Sequence, residues 1–245
     1  MVRLSYDLHI HSCLSPCGHE DMTPSNIVYM AKLKGLDMIA LTDHNSVRNC
    51  PAFFYHGKEA GILTIAGLEL CTREEVHVLC LFTTLEDAIK FDEYVWKRLP
   101  NIRNREDIFG TQFVLNERDE VVERINKLLI NGTDISFDDV YELTKKYNGI
   151  MIPAHIDKGT NSVISNLGFI PPDSKFTTVE LSDNYKGNPF VENDRYGAGC
   201  KKIYNSDAHE LGAIHEAIYF LEVEEKSVEA VLKALQNRKE SLDTF

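Results

Sequence analysis

His9 and His11 stand two residues apart in DLHIHS, and the same spacing returns with Asp207 and His209 in NSDAH. Side chains alternate on an extended chain, so each pair points to one side. His44 follows Asp43 in LTDHN, Glu69 lies near the end of ILTIAGLEL, His77 opens the next apolar run, and His155 follows GIMIPA. Mixed imidazole and carboxylate ligands suit Zn, Mn or Fe, and affinity order alone does not choose among them. Glu69 and Asp207 are natural bridging groups, because a carboxylate has two oxygens that can address neighbouring ions. Two ions ~3.5–4 Å apart can bind a phosphoryl oxygen, activate water near neutral pH and neutralise a leaving oxygen. These residue types therefore point to metal-assisted hydrolysis.

A lone histidine at a strand end is more often a hydrogen-bonded structural residue than a ligand. Here nearly every predicted strand carries a His, Asp or Glu at its end, and in α/β architectures the C-terminal strand ends converge on the site. His56, in a helical polar context, and His215, in GAIHEAI, lack that placement and read as structural or surface residues.

The elements that must position these groups follow from periodicity and punctuation. Residues 4–11 alternate strictly, with Leu4, Tyr6, Leu8 and Ile10 on one face and Ser5, Asp7, His9 and His11 on the other. Thr23, Pro24 and Gly35 punctuate a helix. Strands are expected at 37–42, 62–70, 76–82, 149–154, 178–181, 202–205 and 217–221. Helices are expected between the early strands, over 85–99, from Ser136 to Asn148-Gly149, and at the end, where Val228, Val231, Leu232 and Leu235 share a face. Residues 111–115 and 120–123 read as a hairpin. The pattern predicts a single α/β domain over 1–245 with a mostly parallel sheet and a small excursion around 100–135.

Composition narrows the function classes. The 245 residues are 43% hydrophobic and 26% charged, an ordinary globular balance. No run approaches the ~18 apolar residues needed to span a bilayer, and the first residues lack the apolar stretch of a secretory signal, so a cytoplasmic location is expected and no membrane partner. The net charge of −12 disfavours long nucleic acid, whose phosphates require Lys and Arg. A small phosphorylated substrate stays compatible, since bound cations reverse the field inside a site. Six cysteines in a cytosolic chain read as reduced thiols, with Cys71 and Cys80 as small buried hydrophobes. No GxxxxGK[ST] loop is present, which disfavours ATP-driven transfer.

Four stretches, DLHIHS at 7–12, TDHN at 42–45, Glu69 to His77 with His155 after it, and SDAH at 206–209, together resemble the PHP (polymerase and histidinol phosphatase) family of metal-dependent phosphoesterases. The resemblance implies a distorted, TIM-barrel-like (β/α)7 barrel holding up to three divalent ions at the C-terminal strand ends. It implies that His9, His11, Glu69 and Asp207 hold one ion and that Glu69 bridges to a second, completed by His77 and His155. A third would be held by His44, His209 and one residue from the loop after His11. That loop, SCLSPCGHEDMTP, is longer than the usual family pattern; counting back from the helix start gives His19 as the ligand, with Asp21 as runner-up.

Asp43 has two readings: orienting a neighbouring ligand through a hydrogen bond, or donating a proton to the leaving alkoxide. Asp7 reads as a supporting group. Lys158, Arg195 and Arg73 are candidate phosphate contacts, with Lys158 preferred because it follows His155 by three residues. The expected activity is hydrolysis of a small phosphomonoester, such as histidinol phosphate or a nucleotide or oligonucleotide phosphate, by metal-activated water. An amidohydrolase-type enzyme and a non-catalytic metal-stabilised regulatory domain are the rivals. Oligomeric state is not encoded in any of these features.

Overall fold

The computed structural model describes residues 1–182 and 199–237. The elements run β1 (Val2–Ile10), α1 (Pro24–Leu33), β2 (Met38–Leu41), α2 (Cys50–Ala60), β3 (Leu63–Cys71), β4 (His77–Phe82), α3 (Leu85–Trp96), α4 (Glu106–Phe109), β5 (Phe113–Leu115), β6 (Val121–Arg124), α5 (Phe137–Lys146), β7 (Gly149–Pro153), α6 (Val163–Leu167), β8 (Thr178–Leu181), β9 (Lys201–Tyr204), β10 (Phe220–Val223) and α7 (Val228–Gln236). Local chemistry sets the boundaries. Thr23 caps α1 by accepting from the Asn26 amide, with Pro24 in the first turn. The last expected strand lies later than its pattern indicated, at β10.

Six strands pair in the order β10-β1-β2-β3-β4-β7, and β8 pairs with β9. β1, β2 and β3 are parallel, as are β8 and β9. β4 returns antiparallel to β3, and β7 is antiparallel to β4. The short link between Cys71 and His77 explains that departure from a mostly parallel sheet, since a parallel crossover needs about a dozen residues or more. The Ile156 amide donates to Glu180 O at 2.9 Å, joining the exit of β7 to β8. The His11 amide donates to Ala208 O at 2.9 Å, joining the exit of β9 to β1. β1, β2, β3, β4, β7, β8 and β9 thus go round a distorted α/β barrel, while β10 pairs antiparallel with the first half of β1.

Two apolar layers hold this wall. Leu4, Tyr6, Leu8, Met38, Ala40, Ile65, Leu79, Leu81, Ile150 and Ile152 pack together with α7. Ile39, Leu41, Leu68, Val78, Cys80 and Met151 instead meet helix residues such as Val28, Phe53, Phe91 and Val140. Thr178 and Lys201 donate from their side chains to carbonyls of Leu235 and Ala234, so α7 sits at the N-terminal ends of β8 and β9. The opposite end is left for chemistry.

β1 does not keep the strict alternation its sequence indicates. Its pairing with β2 slips between Asp7 and Ile10. Leu8 belongs to the first layer and Ile10 to the second, while the side chains of His9 and His11 come together. A bulge of this kind re-aims side chains next to functional sites.

The excursion contains α4 and the β5–β6 pair, close to the expected hairpin. It leans on the loop after β1: the Phe113 amide donates to Cys13 O at 3.0 Å, and Asn49 binds both Phe113 O and the Leu115 amide. Gly110 has φ +89, and a Cβ there would stand 2.3 Å from Pro16 O. Among the described residues, no helix is long and apolar enough to cross a membrane. Because Gly110 combines a left-handed φ with backbone contact, Gly110→Ala is expected to cost about 1–3 kcal/mol. Urea unfolding checks this, and an unchanged midpoint would show that the excursion is not pinned there.

Candidate metal centre

The sheet topology explains how ligands from different strand positions share one edge. Glu69 is near the end of β3. His77 starts β4, but β4 runs backwards relative to β3, so its start lies at that same edge. β7 reverses again and delivers His155 just past its end. His155 and Asp207 leave their strands with φ 29 and 52, and Asn45, next to His44, has φ 52.

Glu69 is the hub, only 1% exposed. Its Oε1 lies 2.8 Å from His77 Nδ1, 3.1 Å from His155 Nε2 and 3.4 Å from His9 Nε2. Its Oε2 lies 2.9 Å from His44 Nδ1 and 3.4 Å from His11 Nε2. Asp207 Oδ1 faces the same two nitrogens of His9 and His11 at 3.3 and 3.2 Å. His209 stacks on His11, with ring centroids 4.2 Å apart. Three groups have metal-ligand spacing among the described residues: His9–His11–Glu69, His44–Glu69–His77 and His11–His44–His209.

The surroundings fit cations. Burial alone raises the Glu69 carboxyl, yet His77, His9 and His44 hold it well below the ordinary range. Burial likewise opposes a charged His9, but Glu180, Asp207 and Glu69 keep its pKa well above the usual imidazole value. His77 is pushed up to about 10, with Glu69 overcoming the effect of burial. Burial, then His209 and His44, hold His11 low. The field at the His9 end favours positive charge, whether proton or metal ion. Glu69 Oε2 and His44 Nδ1, 2.9 Å apart but not in hydrogen-bond geometry, are buried without a hydrogen-bond partner, as expected of atoms that would face an ion.

Supporting groups aim the ligands. His9 Nδ1 is 3.0 Å from both oxygens of Glu180, a buried acceptor that also takes the Asn205 side-chain amide and the His155 backbone N–H. His9 must therefore donate from Nδ1, which leaves Nε2 for a metal. The Asn161 amide lies 2.9 Å from His77 Nε2. Sequence reasoning did not single out Glu180, Asn205 or Asn161. Glu180 sits in an expected strand that ends at the metal-bearing edge, so the strand-end pattern itself was a signal for it.

The other expected site residues divide clearly. Asp43 turns away from Glu69: its Oδ1 accepts from the Ser12 amide and the Ser15 hydroxyl, each at 2.7 Å, and its Oδ2 from the Ser12 hydroxyl at 2.6 Å. That is an orienting geometry, and it leaves the proton-donor reading without support. Burial pushes its carboxyl up, partly offset by those hydrogen bonds. His19 is not brought to the cluster. Its side chain is 63% exposed and faces Asp21 at 3.5 Å. Tight turns at Gly18 N to Ser15 O and Met22 N to His19 O rotate it outward, though its amide binds His209 O at 2.8 Å. Arg73 also lies away, bonded to Asp134 O. Lys158 pairs with Asp207 Oδ2 at the rim. Arg195 lies outside the described residues. Asp7 accepts from the backbone amides of Ser206 and His215, in a supporting position. His56 and His215 belong to none of the three groups.

The family model described as the PHP domain matches residues 7–160. Over 76 residues the chain is 36% identical to an uncharacterized protein of Methanocaldococcus jannaschii, a stretch covering 28% of this chain and 44% of that one. Over 79 residues it is 33% identical to a 5'-3' exoribonuclease of Haemophilus influenzae, covering 31% of this chain and 28% of the other. Its fold is similar to that of the lesion-specific endonuclease PfuEndoQ from Pyrococcus furiosus, with a TM-score of 0.70 and 21% identity, covering 97% of this chain and 57% of that one. The matched stretches are thus under half the length of either curated relative.

Glu180→Gln replaces one acceptor oxygen with a donor and loosens the hold on His9. Metal affinity should fall about 10–100-fold, read by calorimetric titration with Zn or Mn. Equal affinities would mean that Glu180 does not orient His9.

Proposed function

The chain belongs to the PHP domain family, and on that premise we propose that it is a metal-dependent hydrolase acting on a small phosphomonoester. The observation that carries this reading is the division of Glu69, whose two oxygens are addressed by His9, His77 and His155 on one side and by His11 and His44 on the other. That arrangement supports a bridging carboxylate in a centre of up to three divalent ions. Ions bound there would polarise a phosphoryl oxygen and lower the pKa of water.

The chain's own residues supply the rest. Glu180 holds His9 in the tautomer a ligand needs. Lys158, 40% exposed beside Asp207, is the cation at the rim from which substrate would arrive, and its ammonium suits a phosphate oxygen. Arg195 remains a proposed phosphate contact from sequence alone. Histidinol phosphate and nucleotide or oligonucleotide phosphates are the substrates in view. The net charge of −12 favours small molecules over long nucleic acid. A second reading, cleavage at an oligonucleotide end, is favoured by the similarity to an exoribonuclease. An amidohydrolase would typically bridge its ions with a carboxylated lysine, whereas here Glu69 fills that role. A cytoplasmic setting belongs to the same proposal, in keeping with the buried thiols of Cys71 and Cys80.

The test is phosphate release across monoesters, oligonucleotides and amides after reconstitution with Mn, Zn or Fe. Turnover of a monoester is expected, abolished by His9→Ala or Asp207→Ala and retained by His215→Ala. Metal-replete protein that is inert on all phosphate esters would sink the proposal. Activity on amides alone would favour the amidohydrolase, and no activity the regulatory domain. Equal loss in all three variants would show that the ligand set is wrong.

A further inference from the structure

One hydroxyl outside the ligand set touches two of its members. Ser15 Oγ lies 2.9 Å from His11 Nδ1, 2.7 Å from Asp43 Oδ1 and 3.1 Å from the His44 backbone nitrogen. We propose that Ser15 is a positioning residue that holds His11 with its proton on Nδ1, freeing Nε2 for a metal ion, and that ties His44 to the same point. The inference rests on the metal-centre reading and adds to it a residue that binds no ion itself.

Hydrogen-bond capacity carries the argument. A serine hydroxyl has one hydrogen and two acceptor positions. The Ser12 hydroxyl accepts from the Asn49 side-chain amide at 2.9 Å and the Leu14 backbone amide at 3.1 Å, so its hydrogen goes to Asp43 Oδ2 at 2.6 Å. Asp43 Oδ1 accepts from the Ser12 amide, and the remaining donor facing it is the Ser15 hydroxyl. With its hydrogen committed to the carboxylate, Ser15 Oγ has two acceptor positions left. His44 N–H fills one. The other faces His11 Nδ1, which must donate to it. His11 Nε2 is then an acceptor facing the cluster, 3.1 Å from His9 Nε2, with Glu69 Oε2 and Asp207 Oδ1 at 3.4 and 3.2 Å. A neutral imidazole free in water prefers its proton on Nε2, so Ser15 selects against the default. Glu180 does the same for His9 with a different group.

The backbone explains why Ser15 can reach. Ser15 N donates to Ser12 O at 3.1 Å and Gly18 N donates to Ser15 O at 2.8 Å, two consecutive turns that fold the loop back over β1. Gly110 presses on the next residue, Pro16, from the excursion. Ser15 thus links His11 at the exit of β1, His44 at the exit of β2 and, through Pro16, the excursion that braces the loop.

The test reads the tautomer in metal-free, 15N-labelled protein by long-range proton–nitrogen correlation, with His11 assigned through His11→Gln. The wild type should carry the proton on Nδ1. Ser15→Ala should move it to Nε2 and weaken Zn or Mn binding about 10–100-fold, while Ser15→Thr, which keeps the hydroxyl, should preserve both. A wild-type His11 protonated on Nε2 overturns the proposal, as does Ser15→Ala with tautomer and metal affinity unchanged. Should Ser15→Ala fail to fold, the wild-type spectrum and Ser15→Thr still decide. A tautomer that shifts as expected in a protein that hydrolyses no phosphate ester would support the Ser15 assignment and count against the proposed activity alone.

Discussion

The upper end of the barrel depends on one buried carboxylate. Glu69 is almost fully removed from solvent, and an ionised carboxylate so placed costs several kcal/mol unless positive charge and hydrogen bonds compensate. Four imidazoles from four parts of the chain, those of His77, His9, His44 and His155, supply the compensation. The same arrangement that makes Glu69 tolerable makes it a bridge. Remove the carboxylate, and His44, His77 and His155 lose the group they face in common, while His9 and His11 keep only Asp207.

Assembling those imidazoles conflicts with the regularity of the wall beneath them. A uniform strand would point His9 and His11 away from the layer containing Leu8, and the slip in β1 between Asp7 and Ile10 resolves the conflict. Asn45, His155 and Asp207 take left-handed backbone angles beside or at ligand positions. Non-glycine residues in that region cost about 1–3 kcal/mol each. The costs are met locally: Asn45 donates to Leu129 and Asn131 carbonyls and accepts from the Cys71 amide, and the His155 amide binds Glu180. Strain and satisfied polar groups occur together here, which is the signature of a site built for geometry rather than for stability.

Much of this is legible in the sequence. Short strands with His, Asp or Glu at their ends mark the barrel edge, and the α/β architecture and the β5–β6 hairpin follow from local patterns. What escaped had physical reasons. The antiparallel turn of β4 was implicit in a link too short for a crossover, yet periodicity says nothing about direction. Counting back from α1 points to His19, but two turns in the loop rotate its side chain into solvent, and residue spacing does not register rotation. Asp43 was ambiguous because its aim depends on Ser12 and Ser15, contacts made between β1 and β2 rather than along either. Glu180 obeys the strand-end pattern but sits in a short apolar strand with no second ligand type beside it.

The central claim is that Glu69 bridges ions held by histidines on its two sides. Anomalous diffraction from crystals of the full chain grown with Mn tests it most directly. The account predicts peaks flanking the Glu69 carboxylate, one among His9, His11 and Asp207 and another beside His77 and His155. Peaks confined to surface sites such as His19–Asp21, with none at Glu69, would contradict it.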